Sequence, residues 1–150
     1  MSFFRSLNRL FDPVRVHFLF ESREYFLGET IEIAVQVITR DRLGIREMKA
    51  ELRWSPVGAN KREFISLNGP GPYVHSVSSF GDGRTLRAGS EESFSADLVT
   101  SSSTPGDGTL RTKWKVAVSV QSTDGRTYEK ESSVKIVPRS MAGISDLRNY

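Results

Sequence analysis

At 150 residues, with 37% hydrophobic and 26% charged side chains, the chain has the size of one folded domain and too much apolar content for a disordered one. Cysteine is absent, which excludes a disulfide framework, a thiolate nucleophile and a thiolate metal site, and points to a reducing cytoplasm. The net charge of +3, from 21 Lys and Arg against 18 Asp and Glu spread evenly over the two halves, leaves no basic domain or tail of the kind a nucleic-acid binder usually carries.

The first element is an N-terminal amphipathic segment over residues 1–12. Ser2 can cap a short helix in which Phe3, Phe4, Leu7, Leu10 and Phe11 share one face, with Arg5 and Arg9 opposite, and Asp12-Pro13 stops it. The arginines interrupt the apolar residues, so neither a signal peptide nor a membrane span is expected. So short a helix is not stable alone in water and must dock, either on its own domain or on a partner or membrane. Phe3, Phe4, Arg5, Leu7, Arg9, Leu10 and Phe11 are therefore candidate docking residues.

From residue 13 to 138 the pattern is that of strands. Val14, Val16, Phe18 and Phe20 alternate with Arg15, His17 and Leu19, and Ile31, Ile33, Val35 and Val37 alternate with Glu32, Ala34 and Gln36 after a turn at Leu27-Gly28-Glu29. A third run sends Met48, Ala50, Leu52 and Trp54 inward and Glu47, Lys49, Glu51 and Arg53 outward, and Pro56 closes it. Two weaker strands are predicted over 62–67 and 73–80, separated by a Gly- and Pro-rich break, with a hairpin-like turn at Gly81-Asp82-Gly83. Phe94, Ala96 and Leu98 form an inward row before a small polar loop, Thr100 to Gly108, that is the best candidate for local disorder.

Two long strands finish the domain, and the parity of their core residues fixes how they pair. A two-residue Asp124-Gly125 turn would set Val120 opposite Glu129 and bury carboxylates. A three-residue loop, Thr123-Asp124-Gly125, instead pairs Ser122 with Arg126, Val120 with Tyr128, Val116 with Ser132 and Trp114 with Val134, with Gly125 in the left-handed conformation. The cost is Val118 opposite Lys130, whose stem must reach toward water. Residues 139–150 form a polar tail. About eight short strands and almost no helix predict an all-β, antiparallel, immunoglobulin-like sandwich.

Met1-Ser2-Phe3-Phe4, Tyr25-Phe26-Leu27-Gly28-Glu29 running into Thr30-Ile31-Glu32-Ile33, and Lys113-Trp114-Lys115-Val116-Ala117-Val118 before Val134-Lys135-Ile136-Val137 together resemble the arrestin-like superfamily. The likeness spans roughly residues 1–137 and is strongest to its bacterial sporulation-control branch. Where that family usually carries Pro-Gly-Glu this chain has Leu27-Gly28-Glu29, and where its members commonly carry two sandwiches this chain has room for one. The resemblance implies an arrestin-like sandwich acting as an adaptor or scaffold without enzymatic activity.

Chemistry-bearing constellations are sparse. His17 and His75 lack carboxylates at ligand spacing, so no metal site is expected. Gly81-Asp82-Gly83 and Gly106-Asp107-Gly108 lack the strand-to-helix context of a phosphate loop, and adjacent Glu91 and Glu92 point to opposite faces of a strand. No serine stands in a nucleophile elbow, so neither catalytic residues nor cofactors are expected. Trp54 and Trp114 have core parity. Arg40, Arg42, Arg46 and Arg53 form the one cluster that resembles a patch for an acidic partner. The expected function is that of a cytoplasmic protein-interaction module, binding through a sheet edge or one end of the sandwich, with no nucleic-acid partner. The alternative is peripheral binding to a membrane surface or anionic lipid through the aromatic N-terminal segment.

Overall fold

The computed structural model describes residues 13–58, 61–81, 83–105 and 110–137. The N-terminal helix and the C-terminal tail expected from the sequence lie outside them, as do Asp82 and residues 106–109. Nine strands and one helix follow in the order β1 (Val14–Leu19), β2 (Glu24–Phe26), β3 (Thr30–Thr39), β4 (Leu43–Val57), α1 (Lys61–Asn68), β5 (Tyr73–Phe80), β6 (Thr85–Leu86), β7 (Glu91–Val99), β8 (Arg111–Ser122) and β9 (Thr127–Val137).

Two sheets form the sandwich. The smaller has the order β1-β3-β7, and the larger β2-β9-β8-β4-β5, with β6 added to the start of β4. The pairings are antiparallel except β2 with β9, which is parallel. The core follows the alternation of the sequence. Val14, Val16, Ile31, Ile33, Val35, Val37, Ala96 and Leu98 of the small sheet close onto Met48, Ala50, Leu52, Trp54, Trp114, Val116, Val118 and Val120 of the large one.

The last hairpin has the register that core parity demands. Val120 pairs with Tyr128, Val118 with Lys130, Val116 with Ser132 and Trp114 with Val134. The Ser122 amide donates to Arg126 O at 2.8 Å, and Gly125 has φ 90°. Gly28 turns β2 into β3 with φ 100°, and Thr100 clamps that turn, accepting from the Gly28 amide at 2.9 Å and donating to Glu29 O at 2.6 Å.

Residues 62–67 depart from expectation, since Lys61–Asn68 is a helix and not a strand. Phe64 packs on Trp54 and Tyr73 with ring centroids at 5.5 and 5.6 Å, so one apolar anchor suffices to hold the turn against the sheet. Glu63 sits favourably in the first turn, and Gly69, with φ 84°, ends the helix by donating to Ile65 O at 2.8 Å. A short run with one apolar face fits either period, and tertiary packing decides between them.

Candidate functional site

The two sides of the sandwich close differently. On one side β5 meets β7: Ser76 Oγ donates to Val99 O at 2.8 Å, His75 Nε2 lies 3.2 Å from Ser101 O, and Phe80 packs on Phe94 with centroids at 5.8 Å. On the other side β1 faces β9 across a seam open to solvent. Lys130 and Ser132 have inward parity, opposite the buried Val118 and Val116, yet both are exposed. Phe18 and Phe20 stack at 6.2 Å on the β1 side of this opening, and His17 Nδ1 stands 3.5 Å from Lys130 Nζ.

The hydrogen-bond phase shows which backbone groups face the seam. Arg40 N donates to Pro13 O at 2.8 Å while Thr39 N turns away to Ser90 O at 3.0 Å, so Pro13 and Arg40 are a bonded pair and Val14 and Thr39 are not. By alternation Arg15, His17 and Leu19 bond β3, whereas Val14, Val16 and Phe18 aim their N–H and C=O groups at the seam. Among the described residues no strand pairs with that edge of β1.

The facing edge of β9 is protected and that of β1 is not. Along β9, Lys130 points inward and Glu129 and Glu131 outward, so a strand approaching that edge would meet charge on both faces. β1 carries no inward charge, proline or bulge, and its outward Leu19 is 77% exposed. Behind it the outer face of the small sheet is a shallow open groove lined by Leu19, Ala34, Gln36, Ser93 and Ser95.

The four arginines of the expected acidic-partner patch are divided. Arg53 lies toward the far end of β4, only 16% exposed, with Nε 3.0 Å from Glu51, Nη2 2.5 Å from Glu129 and Nη1 3.2 Å from Glu131. Glu51 has outward parity but is 6% exposed, because the long side chains of Lys49 and Arg53 fold over it. Burial pushes its carboxyl pKa up, but hydrogen bonds from Lys49 and Arg53 outweigh that and hold it below the ordinary value.

Arg40, Arg42 and Arg46 remain near one another at the β3–β4 end, where the fold adds basic residues from distant sequence. The β4–β6 ladder and the bond from Ile45 N to Arg84 O at 2.8 Å bring in Arg84. Arg87 follows through its carbonyl, which accepts from Thr39 Oγ1 at 2.9 Å. The bond from Thr123 N to Gly44 O at 2.9 Å sets the β8–β9 turn, with Arg126, alongside. All six arginines are exposed. Arg84 lies 3.5 Å from Glu92 and Arg126 3.8 Å from Asp124, while Arg42, Arg46 and Arg87 have no ion-pair partner among the described residues.

His17 is an exposed edge-strand residue, and His75 packs edge-on against Trp114 at 5.2 Å. Trp54 and Trp114 are core residues. Among the described residues no group of three or more His, Asp or Glu side chains is placed to hold a metal ion, and no helix is long and apolar enough to cross a membrane. The candidate docking residues Phe3, Phe4, Arg5, Leu7, Arg9, Leu10 and Phe11 lie outside the described residues.

No protein-family model matches the chain, and no curated protein matches it in sequence. In structure it is similar to Spo0M, a sporulation control protein from Bacillus subtilis, with a TM-score of 0.66 over 91% of this chain at 14% identity. The chain spans 56% of the length of that structure. The fold is an arrestin-like all-β sandwich.

Proposed function

We propose that the chain is a non-enzymatic, cytoplasmic protein-interaction module of the adaptor or scaffold type, and that it takes an extended segment of its partner as an added strand along β1. The observation that carries this reading is the asymmetry of the open seam, with an unprotected β1 edge facing a β9 edge guarded by charge. A segment paired there would receive main-chain hydrogen bonds from Val14, Val16 and Phe18. Its inward side chains would cover Phe18, Phe20 and the exposed Ser132, and its outward ones would meet Arg15, His17 and Leu19. The resemblance to a sporulation control protein of arrestin-like fold supports a regulatory role of this kind.

Val16→Pro tests the edge directly. Proline removes an N–H that faces the seam and leaves the ladder to β3 intact, which is the edge position where a sheet tolerates it. A partner recovered with the wild-type chain should be lost with Val16→Pro, and should slow amide exchange of the seam-facing groups in residues 14–18. Binding that survives Val16→Pro in a folded protein, or protection confined to other strands, refutes the reading.

A further inference from the structure

We infer that the β1 edge selects extended segments bearing one carboxylate among apolar inward residues, and that Lys130 is the residue that reads it. The inference rests on strand addition along β1. β1 and β9 run in the same direction, from the end where Arg40 meets Pro13 and Thr123 meets Gly44 to the end where Phe20 packs near Tyr25 and Tyr25 pairs with Ile136. Lys130 starts on the inward face of β9, opposite the buried Val118, yet its Nζ reaches Nδ1 of His17, on the outward row of β1, at 3.5 Å. Its stem therefore crosses the seam beside the free backbone groups of Val16, while Ser132, further along β9, lies toward Phe18 and Phe20. Glu129 and Glu131 point to the opposite face and are held by Arg53 at 2.5 and 3.2 Å. Among the described residues Lys130 has no ion-pair partner.

A strand added to β1 takes the space that the Lys130 stem crosses, so docking breaks the contact with His17 and turns the ammonium toward the inward row of the segment. An apolar residue opposite Val16 would then leave that cation half-buried and unpaired, whereas a carboxylate there pairs with it as water leaves the seam. Opposite Phe18 the neighbours are the rings of Phe18 and Phe20, stacked at 6.2 Å, and an apolar residue fits. Outward positions meet Arg15 and His17, which stand in solvent, where an ion pair contributes little and discriminates little. The pattern that fits is thus a lone acid with an apolar residue two positions away, and not a run of acids. Rejection of segments without the acid makes Lys130 a specificity-determining residue.

The test is selection of phage-displayed random short peptides on the immobilised full chain, followed by calorimetry of a selected peptide. Binding at the edge is read as loss with Val16→Pro and as shifts of the amide resonances of residues 14–18. Peptides that bind there should carry one Asp or Glu with an apolar residue two positions away. Changing that acid to its amide, or Lys130→Gln, should weaken binding roughly tenfold, as expected for a hydrogen bond to a charged group. Both changes together should cost no more than either one. Arg15→Gln should leave binding nearly unchanged. Edge-bound peptides that lack the acid, that bind Lys130→Gln as tightly as the wild type, or that carry a run of acids and lose as much with Arg15→Gln overturn this inference and leave strand addition standing. Absence of any peptide that binds at the edge overturns both.

Discussion

Replacing Arg53 by Met probes the ion cluster on the outer face of the large sheet. Arg53 reaches three carboxylates, and one of them, Glu51, is buried at 6% exposure. An exposed ion pair contributes about 0–1 kcal/mol, whereas removing one partner of a buried pair costs about 3–5 kcal/mol. Glu129 and Glu131 are exposed enough to count at the low end, and Glu51 keeps Lys49 at 3.0 Å. The expected loss is therefore about 2 kcal/mol at neutral pH, or about 4–8 °C in Tm for a domain of this size. The folded-state pKa of Glu51 is depressed, so its stabilisation is present above the unfolded carboxylate value and lost as pH falls through the folded one. Denaturant titrations of both proteins should accordingly converge in acid. Glu51→Gln added to Arg53→Met should recover most of the loss, because no buried charge is then left without its arginine. A neutral-pH difference under about 0.5 kcal/mol, or one that stays constant into acid, would show that the cluster is only a screened surface array.

Thr100→Val should cost about 1–3 kcal/mol in chemical denaturation, since it leaves the Gly28 amide and Glu29 carbonyl without the hydroxyl that joins them. Lys130→Val should raise Tm, because an apolar side chain opposite Val118 extends the core. It should also cause concentration-dependent association in sedimentation velocity, because the inward charge that guards the β9 edge is gone. A Lys130→Val protein that stays monomeric at high concentration would remove the basis for treating the two edges as unlike.

How much could be read in advance depended on sequence distance. The last hairpin was legible to the residue, because turn and core parity both lie within one local stretch and only one register satisfies both. The inward rows of β1, β3, β4, β7 and β8 were legible for the same reason. The three-residue β2 and two-residue β6 were not, because strands that short have no period to detect. Missing β6 meant missing Arg84 and Arg87 as neighbours of Arg40 and Arg42. Arg53 was grouped with those arginines by proximity along β4, although its side chain turns to Glu129 and Glu131 on a strand far along the chain. The burial of Glu51 escaped parity reasoning because what covers it are its own charged neighbours, Lys49 and Arg53.

The parallel pairing of β2 with β9 joins Glu24–Phe26 to Lys135–Val137, and Leu27 N reaches Val137 O at 3.1 Å. This ladder closes almost the whole domain into one loop, and β3 likewise waits for β7 and β4 for β8. So non-local a topology folds slowly compared with one built from neighbouring turns. On the ribosome, where the chain appears from its N-terminus, β1 and β3 emerge as an unfinished pair and the large sheet cannot close until Val137 has cleared the exit. The same Val14–Phe18 groups that face solvent in the finished domain are thus exposed throughout synthesis, with the apolar face of β3 beside them. A holding chaperone would be expected to engage the nascent chain there, and to be released when β9 docks.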